Sequence, residues 1–186
     1  GVVEYFRAVA SAVEIPLILY NFPRHTQNPL TPAILRQVDH FGLKDSSGDL
    51  SLVKATPRYF LGDDTRICRA LRAGAMGFVS AVANALPELY VSMDAFTEAH
   101  DWREAHALQA RIRELLTRLG DRQIPAVKHL LRARIENYPT AVRPPLSPLD
   151  QSAPAGHKLC TAMAKHLVES LISEEMLPAP HREAAT

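Results

Sequence analysis

What most constrains this chain is a repeated alternation. Short apolar runs, each closed by polar residues or turn formers, are separated by stretches of helical periodicity at steps of about 20 residues. The runs fall at 15–20 (Ile15-Pro16-Leu17-Ile18-Leu19-Tyr20), 41–44, 59–61 and 76–80. A run with no polar alternation reads as a strand buried on both faces, the habit of parallel sheets. Before the first run, Val3, Phe6, Ala10 and Val13 share one helical face. Thr31 and Pro32 cap and open a helix over 31–40, and a short helical piece at 50–55 stops before Pro57. Asp64-Thr65 caps a helix to Leu71 that Gly74 ends. Strands alternating with helices imply parallel pairing through crossovers, so the fold class is α/β. A barrel sector and a doubly wound sheet both satisfy this pattern.

The alternation stops at Pro87. Helices are expected over 89–100, 102–119 and 124–135, then a proline-rich crossover over 139–154, a last helix over 156–176 and a tail over 178–186. His100, His106 and His129 fall on these late helices as solvated or interface groups, and Trp102 reads as a packing anchor. With 186 residues, 47% of them apolar, the chain has the makings of one soluble globular domain that buries about 70% of its unfolded surface. Its 21 basic and 20 acidic side chains carry no like-charge run, which argues against nucleic acid or a membrane surface as partner. No signal segment or membrane span is visible, and Cys68 and Cys160 lie far apart without ligand spacing; both point to buried thiols in a cytoplasmic protein. The chain opens at Gly1, already inside a helical pattern, as a fragment would.

In parallel α/β folds the chemistry gathers at the carboxyl ends of the strands. Those ends here are Tyr20-Asn21, Lys44-Asp45-Ser46, Gly62-Asp63-Asp64 and Ser80. A lysine at the inward end of an apolar strand is costly unless it is paired or neutral. As a free amine, Lys44 can attack a ketone and form an imine; paired with Asp45, Asp63 or Asp64, it is structural only. Tyr20, on the adjacent strand, can hold a phenol over the same spot and move protons, or serve as a core tyrosine bonded to a carbonyl. Asp45, Asp63 and Asp64 lack a further ligand set, and capping by Asp64 is the simpler reading, so no metal is expected. Gly74-Ala75-Met76-Gly77 reads as tight packing and not as a phosphate loop.

Taken together, Tyr20-Asn21-Phe22-Pro23, Gly42-Leu43-Lys44-Asp45-Ser46-Ser47-Gly48-Asp49, Gly62-Asp63-Asp64 and Gly74-Ala75-Met76-Gly77-Phe78-Val79-Ser80, with Asn84, Pro87 and the later Arg143-Pro144-Pro145-Leu146-Ser147-Pro148-Leu149, resemble the dihydrodipicolinate synthase/N-acetylneuraminate lyase family in order and spacing. The resemblance implies a partial (β/α)8 barrel followed by a helical C-terminal extension. Strands five to eight would occupy 1–95, the extension 96–177 and a tail 178–186. It implies a pyruvate-dependent class I aldolase or hydro-lyase in which Lys44 forms the Schiff base and Tyr20 relays protons. Gly62 and Val79 would line the pyruvate pocket, and His25 and Thr26 would meet the rest of the substrate. The implied substrate is a 2-oxo acid, with no cofactor and a homo-oligomeric, tetrameric assembly of intact subunits.

Two departures shape the expectation. The synthase branch has an arginine five residues after the tyrosine, where this chain has His25, with Arg24 one place earlier. That favours a branch acting on 2-keto-3-deoxy sugar acids and keeps dihydrodipicolinate synthesis as the alternative. The family's first four strand-helix units, with their Gly-Thr-Thr-Gly-like loop, have no counterpart here, so a catalytically silent half-barrel is the alternative from outside enzymology.

Overall fold

The structure, a computed structural model, describes residues 1–149 together with 162, 165, 166, 168 and 169. The chain forms two compact units, Gly1–Ser80 and Ala81–Thr186.

The first unit is built on four parallel strands in sequential order: β1 (Ile18–Asn21), β2 (Gly42–Asp45), β3 (Tyr59–Leu61) and β4 (Gly77–Phe78). Their register sets Tyr20 opposite Lys44, Lys44 opposite Phe60 and Phe60 opposite Gly77. Side chains alternate faces along a strand, so these four share one face while Leu19, Leu43, Tyr59 and Leu61 share the other. These four side chains of the second face are buried, and with Leu35, Leu52, Val53, Ile67 and Cys68 they make the core of the unit. Each of these large apolar side chains contributes about 2 kcal/mol by leaving water. The first face is not closed over: Ile18 and Tyr20 are 48% and 47% exposed. The expectation that the first strand is buried on both faces therefore fails on one of them.

The helices between the strands are shorter than their periodicity suggests. The first, α1 (Val2–Ser11), stops before Val13, which is exposed. A four-residue turn, α2 (Pro23–Thr26), follows β1 and ends at Gln27, in the left-handed region at φ 56°. α3 (Pro32–Leu35) is capped by the Thr31 hydroxyl, which accepts from the Ile34 amide. It does not reach residue 40, because the Gln37 and Val38 amides bond three residues back and tighten the chain out of the α-helix. Residues 50–55 form a 3-10 helix whose cap is the Asp49 carboxylate. Asp63, and not Asp64, caps the turn Asp64–Arg66 that leads into α4 (Ile67–Arg72). Gly74, at φ 100°, then lets the chain reverse after α4.

The second unit is helical among the described residues: α5 (Pro87–Glu98), α6 (Trp102–Leu119) and α7 (Gln123–Arg134), with residues 162, 165, 166, 168 and 169 also helical. His106 and His129 lie on α6 and α7, but His100 sits in the turn between α5 and α6 at φ 58°, off either helix. Arg134 of α7 donates to the Ala85 carbonyl at 2.8 Å and pairs with Glu88 of α5. Residues 139–149 carry no helix or strand. Cys160, Pro154 and the tail 178–186 lie outside the described residues, as does most of the expected last helix.

Candidate active site

The candidate site grows from the carboxyl ends of β1 to β4. After each strand the parallel ladder continues by one amide onto the strand before it. Ser46 N donates to Asn21 O at 2.8 Å, Gly62 N to Asp45 O at 2.6 Å, and Val79 N to Leu61 O at 2.8 Å. These three bonds bring the loops after β2, β3 and β4 onto neighbouring strand ends.

On the open face, the Lys44 ammonium lies 3.9 Å from the centre of the Tyr20 ring. A cation over an aromatic face is attracted by the ring quadrupole. Ser46, two residues beyond Lys44 and so on the same face, donates its hydroxyl toward the Tyr20 phenol oxygen at 3.5 Å. Burial by itself raises the Tyr20 phenol, but the Ser46 hydroxyl, a hydrogen bond with Lys44 and the Lys44 charge outweigh it. The phenol sits below its ordinary value and parts with its proton more readily. Gly62 closes the group. A β-carbon there would meet Ser46 Oγ at 2.3 Å, Asp45 O at 3.1 Å and Lys44 Cε at 3.3 Å. A side chain there would force the Ser46 hydroxyl to shift and would press on the lysine.

The alternative partners of Lys44 are all engaged elsewhere. Asp45 points to the opposite face, wholly buried, and its carboxylate accepts five hydrogen bonds: from Asn21 Nδ2, Ser47 N, Ser47 Oγ, Gly48 N and Tyr59 OH. Burial and the bond to Asp45 push the Tyr59 phenol well up, so it stays protonated as the donor. Asp63 pairs with Arg66 at 3.2 Å, and Asp64 accepts from Ser80 Oγ. Among the described residues Lys44 takes part in no salt bridge. No group of three or more His, Cys, Asp or Glu that could hold a metal occurs among them.

The remaining sequence candidates are distributed around this group. Val79 is exposed at the end of β4, two residues beyond Gly77 and so on the open face by alternation. His25 lies on α2 with its ring 4.3 Å from that of Phe22, which stacks on Tyr20 at 5.5 Å. It reaches the site through an aromatic neighbour. Thr26 is turned to local work: its hydroxyl donates to the Phe22 carbonyl at 3.2 Å and accepts from the Asn28 amide at 3.3 Å. The sequence reading assigned no role to Ser46 or Asn21. Their signal was available, since strand alternation puts Ser46 beside Lys44 and Asn21 beside Asp45.

The sequence matches the family model described as the Dihydrodipicolinate synthetase family over residues 1–163. It is 35% identical to an uncharacterized DapA-like lyase of Chloroflexus aurantiacus across 80% of this chain and 54% of that one. It is 32% identical to the 4-hydroxy-tetrahydrodipicolinate synthase of Stenotrophomonas maltophilia across 95% of this chain and 61% of that one. Among solved structures, KD(P)GA from T. tenax superposes with a TM-score of 0.77 at 28% identity, over 89% of this chain and 61% of its own. The chain thus spans little more than half the length of the relatives it matches.

Proposed function

The chain belongs to the dihydrodipicolinate synthetase family, and on that premise we propose that it carries the imine-forming residues of a pyruvate-dependent lyase, Lys44 and Tyr20. The single observation behind this reading is the Lys44 amine at 3.9 Å from the Tyr20 ring, with no carboxylate paired to it among the described residues. In its neutral form the amine attacks the ketone carbon of a 2-oxo acid. The Tyr20 phenol gives a proton to the departing hydroxyl, which leaves as water, and a protonated imine remains. The imine draws electrons from the adjacent methyl carbon. Loss of a proton there gives an enamine whose carbon adds to an aldehyde, and the reverse sequence cleaves that bond. In this reading the backbone around Gly62 and Val79, whose amides extend the ladder, lines the pyruvate pocket. His25, with Thr26 behind it, faces the remainder of the substrate.

In this reading residues 1–95 are strands five to eight of a (β/α)8 barrel, 96–177 its helical extension and 178–186 a tail. The substrate is a 2-keto-3-deoxy sugar acid, a reading supported by the likeness to KD(P)GA and by His25 in place of an arginine. Dihydrodipicolinate synthesis is the second reading, supported by relatives of that name. Arg24 is the residue that would have to grip the second carboxylate, from an exposed place on α2. The enzyme would work in the cytoplasm as a homo-oligomer.

Intact mass spectrometry after incubation with pyruvate and borohydride tests the chemistry. The expected result is a reduced adduct on the 186-residue chain that Lys44→Ala abolishes. An unmodified chain would instead support a silent half-barrel.

A further inference from the structure

Two consecutive rungs of the β1–β2 pairing carry side-chain contacts on opposite faces. Tyr20 and Lys44 are register partners on the open face, and Asn21 and Asp45, the next pair, are partners on the buried face. Behind the sheet, Asn21 Nδ2 donates to Asp45 Oδ1 at 2.7 Å. The orientation of the Asn21 amide is fixed from its other end, because Leu30 N donates to its Oδ1 at 3.0 Å. Both residues are almost completely buried, Asn21 at 2% and Asp45 at 0% exposure.

The mechanical setting gives that bond its importance. Among the described residues β1 pairs with β2. At its carboxyl end one main-chain bond remains, Ser46 N to Asn21 O, before the chain turns at Phe22-Pro23 into α2. A strand frays where its ladder stops unless something else holds it. A carboxylate buried with five donors is a rigid anchor, since each lost donor leaves desolvated charge behind. Of the five, only Asn21 comes from β1; the others come from residues 47, 48 and 59.

We infer that Asn21 and Asp45 are positioning residues: their bond behind the sheet locks the end of β1 to the end of β2 and thereby holds the Tyr20 phenol over the Lys44 amine in front of it. The geometry stands independently of the activity, whereas its consequence for catalysis rests on the lyase reading. Tyr59 ties β3 to the same carboxylate.

The test reads the Tyr20 environment and imine formation separately. The full chain is labelled with 13C at tyrosine Cζ and titrated, with Tyr20→Phe assigning the resonance, and borohydride trapping of pyruvate is timed on the same samples. In Asn21→Ala the Tyr20 midpoint rises toward the ordinary phenol value of about 10. Trapping slows about tenfold or more, because a small misplacement of a proton-transfer group is expensive. In Tyr59→Phe, which leaves the bond from Asn21 in place, the Tyr20 midpoint and the trapping rate move less than in Asn21→Ala. Asn21→Ser, too short to span the rung, replaces the alanine variant if that one does not fold. An unchanged Tyr20 midpoint in the Asn21 variant overturns the inference, whether or not the wild type traps pyruvate. A wild type that traps nothing, with a midpoint that still moves, overturns the lyase reading and leaves the positioning role standing.

Discussion

At the scale of single residues the site depends on which face of a strand each side chain takes. Lys44 and Asp45 are neighbours in β2, so alternation sends them to opposite faces; that rules out the salt bridge between them as soon as the strand is accepted. The lysine and tyrosine were legible from their places at the ends of apolar runs. The five-donor role of Asp45 was not, because Tyr59 and Gly48 reach it through the fold and no local pattern announces it. Gly62 gives the sharpest single-residue prediction. A methyl group at that position lies 2.3 Å from Ser46 Oγ, under any real contact distance, and 3.3 Å from Lys44 Cε. Gly62→Ala should therefore leave the circular dichroism spectrum in place and cut pyruvate trapping at Lys44 about a hundredfold, the scale of a misplaced reacting group. Trapping at the wild-type rate would show that the Ser46 hydroxyl and the lysine have room to move aside.

At the scale of elements, existence and type were legible while lengths were not. All four strands lie where the apolar runs put them, yet β4 is only Gly77–Phe78 and α3 only Pro32–Leu35. Tight bonds to the third residue back end α3, and sequence periodicity does not register a change from four-residue to three-residue bonding. In the helical unit the tie between α5 and α7 has a pH signature. The Arg134 guanidinium, hydrogen-bonded at 2.7 Å, holds the Glu88 carboxyl below its ordinary value of 4.5. A carboxyl depressed in the folded state stabilises the protein above its unfolded value and loses that contribution as pH falls through the folded one. Both partners are partly exposed, so solvent screening limits the effect to about 1 kcal/mol or less. Glu88→Gln should be less stable to urea than wild type at pH 7, and the gap should narrow as pH falls and the Glu88 carboxylate takes up its proton. A gap that does not narrow with falling pH would mean that packing, not charge, is what the glutamate supplies.

At the scale of the whole molecule, the open face of the sheet sets the behaviour of the 186-residue chain by itself. Its buried face is complete, from Leu19 through Leu43 and Tyr59 to Leu61. Its other face presents Ile18, Tyr20 and Val79 to solvent, and among the described residues β1 and β4 each have one unpaired edge. Apolar faces with free parallel edges recruit further strands or further copies. A lyase whose chemistry needs water excluded would suffer from the same opening, because the field of Lys44 on Tyr20 weakens where solvent enters. The isolated chain should therefore bind a hydrophobic dye and sediment as a concentration-dependent mixture. Ile18→Lys, a charge placed on the edge strand, should shift the mixture to monomer and lower dye binding together. The substitution lies two residues before Tyr20 on the same face and leaves the buried bond of Asn21 to Asp45 in place, so the added positive charge should lower the Tyr20 titration midpoint further. A dye-silent monomer at every concentration would mean that the face is covered from within the chain, and the pyruvate adduct should then form as fast at low protein concentration as at high.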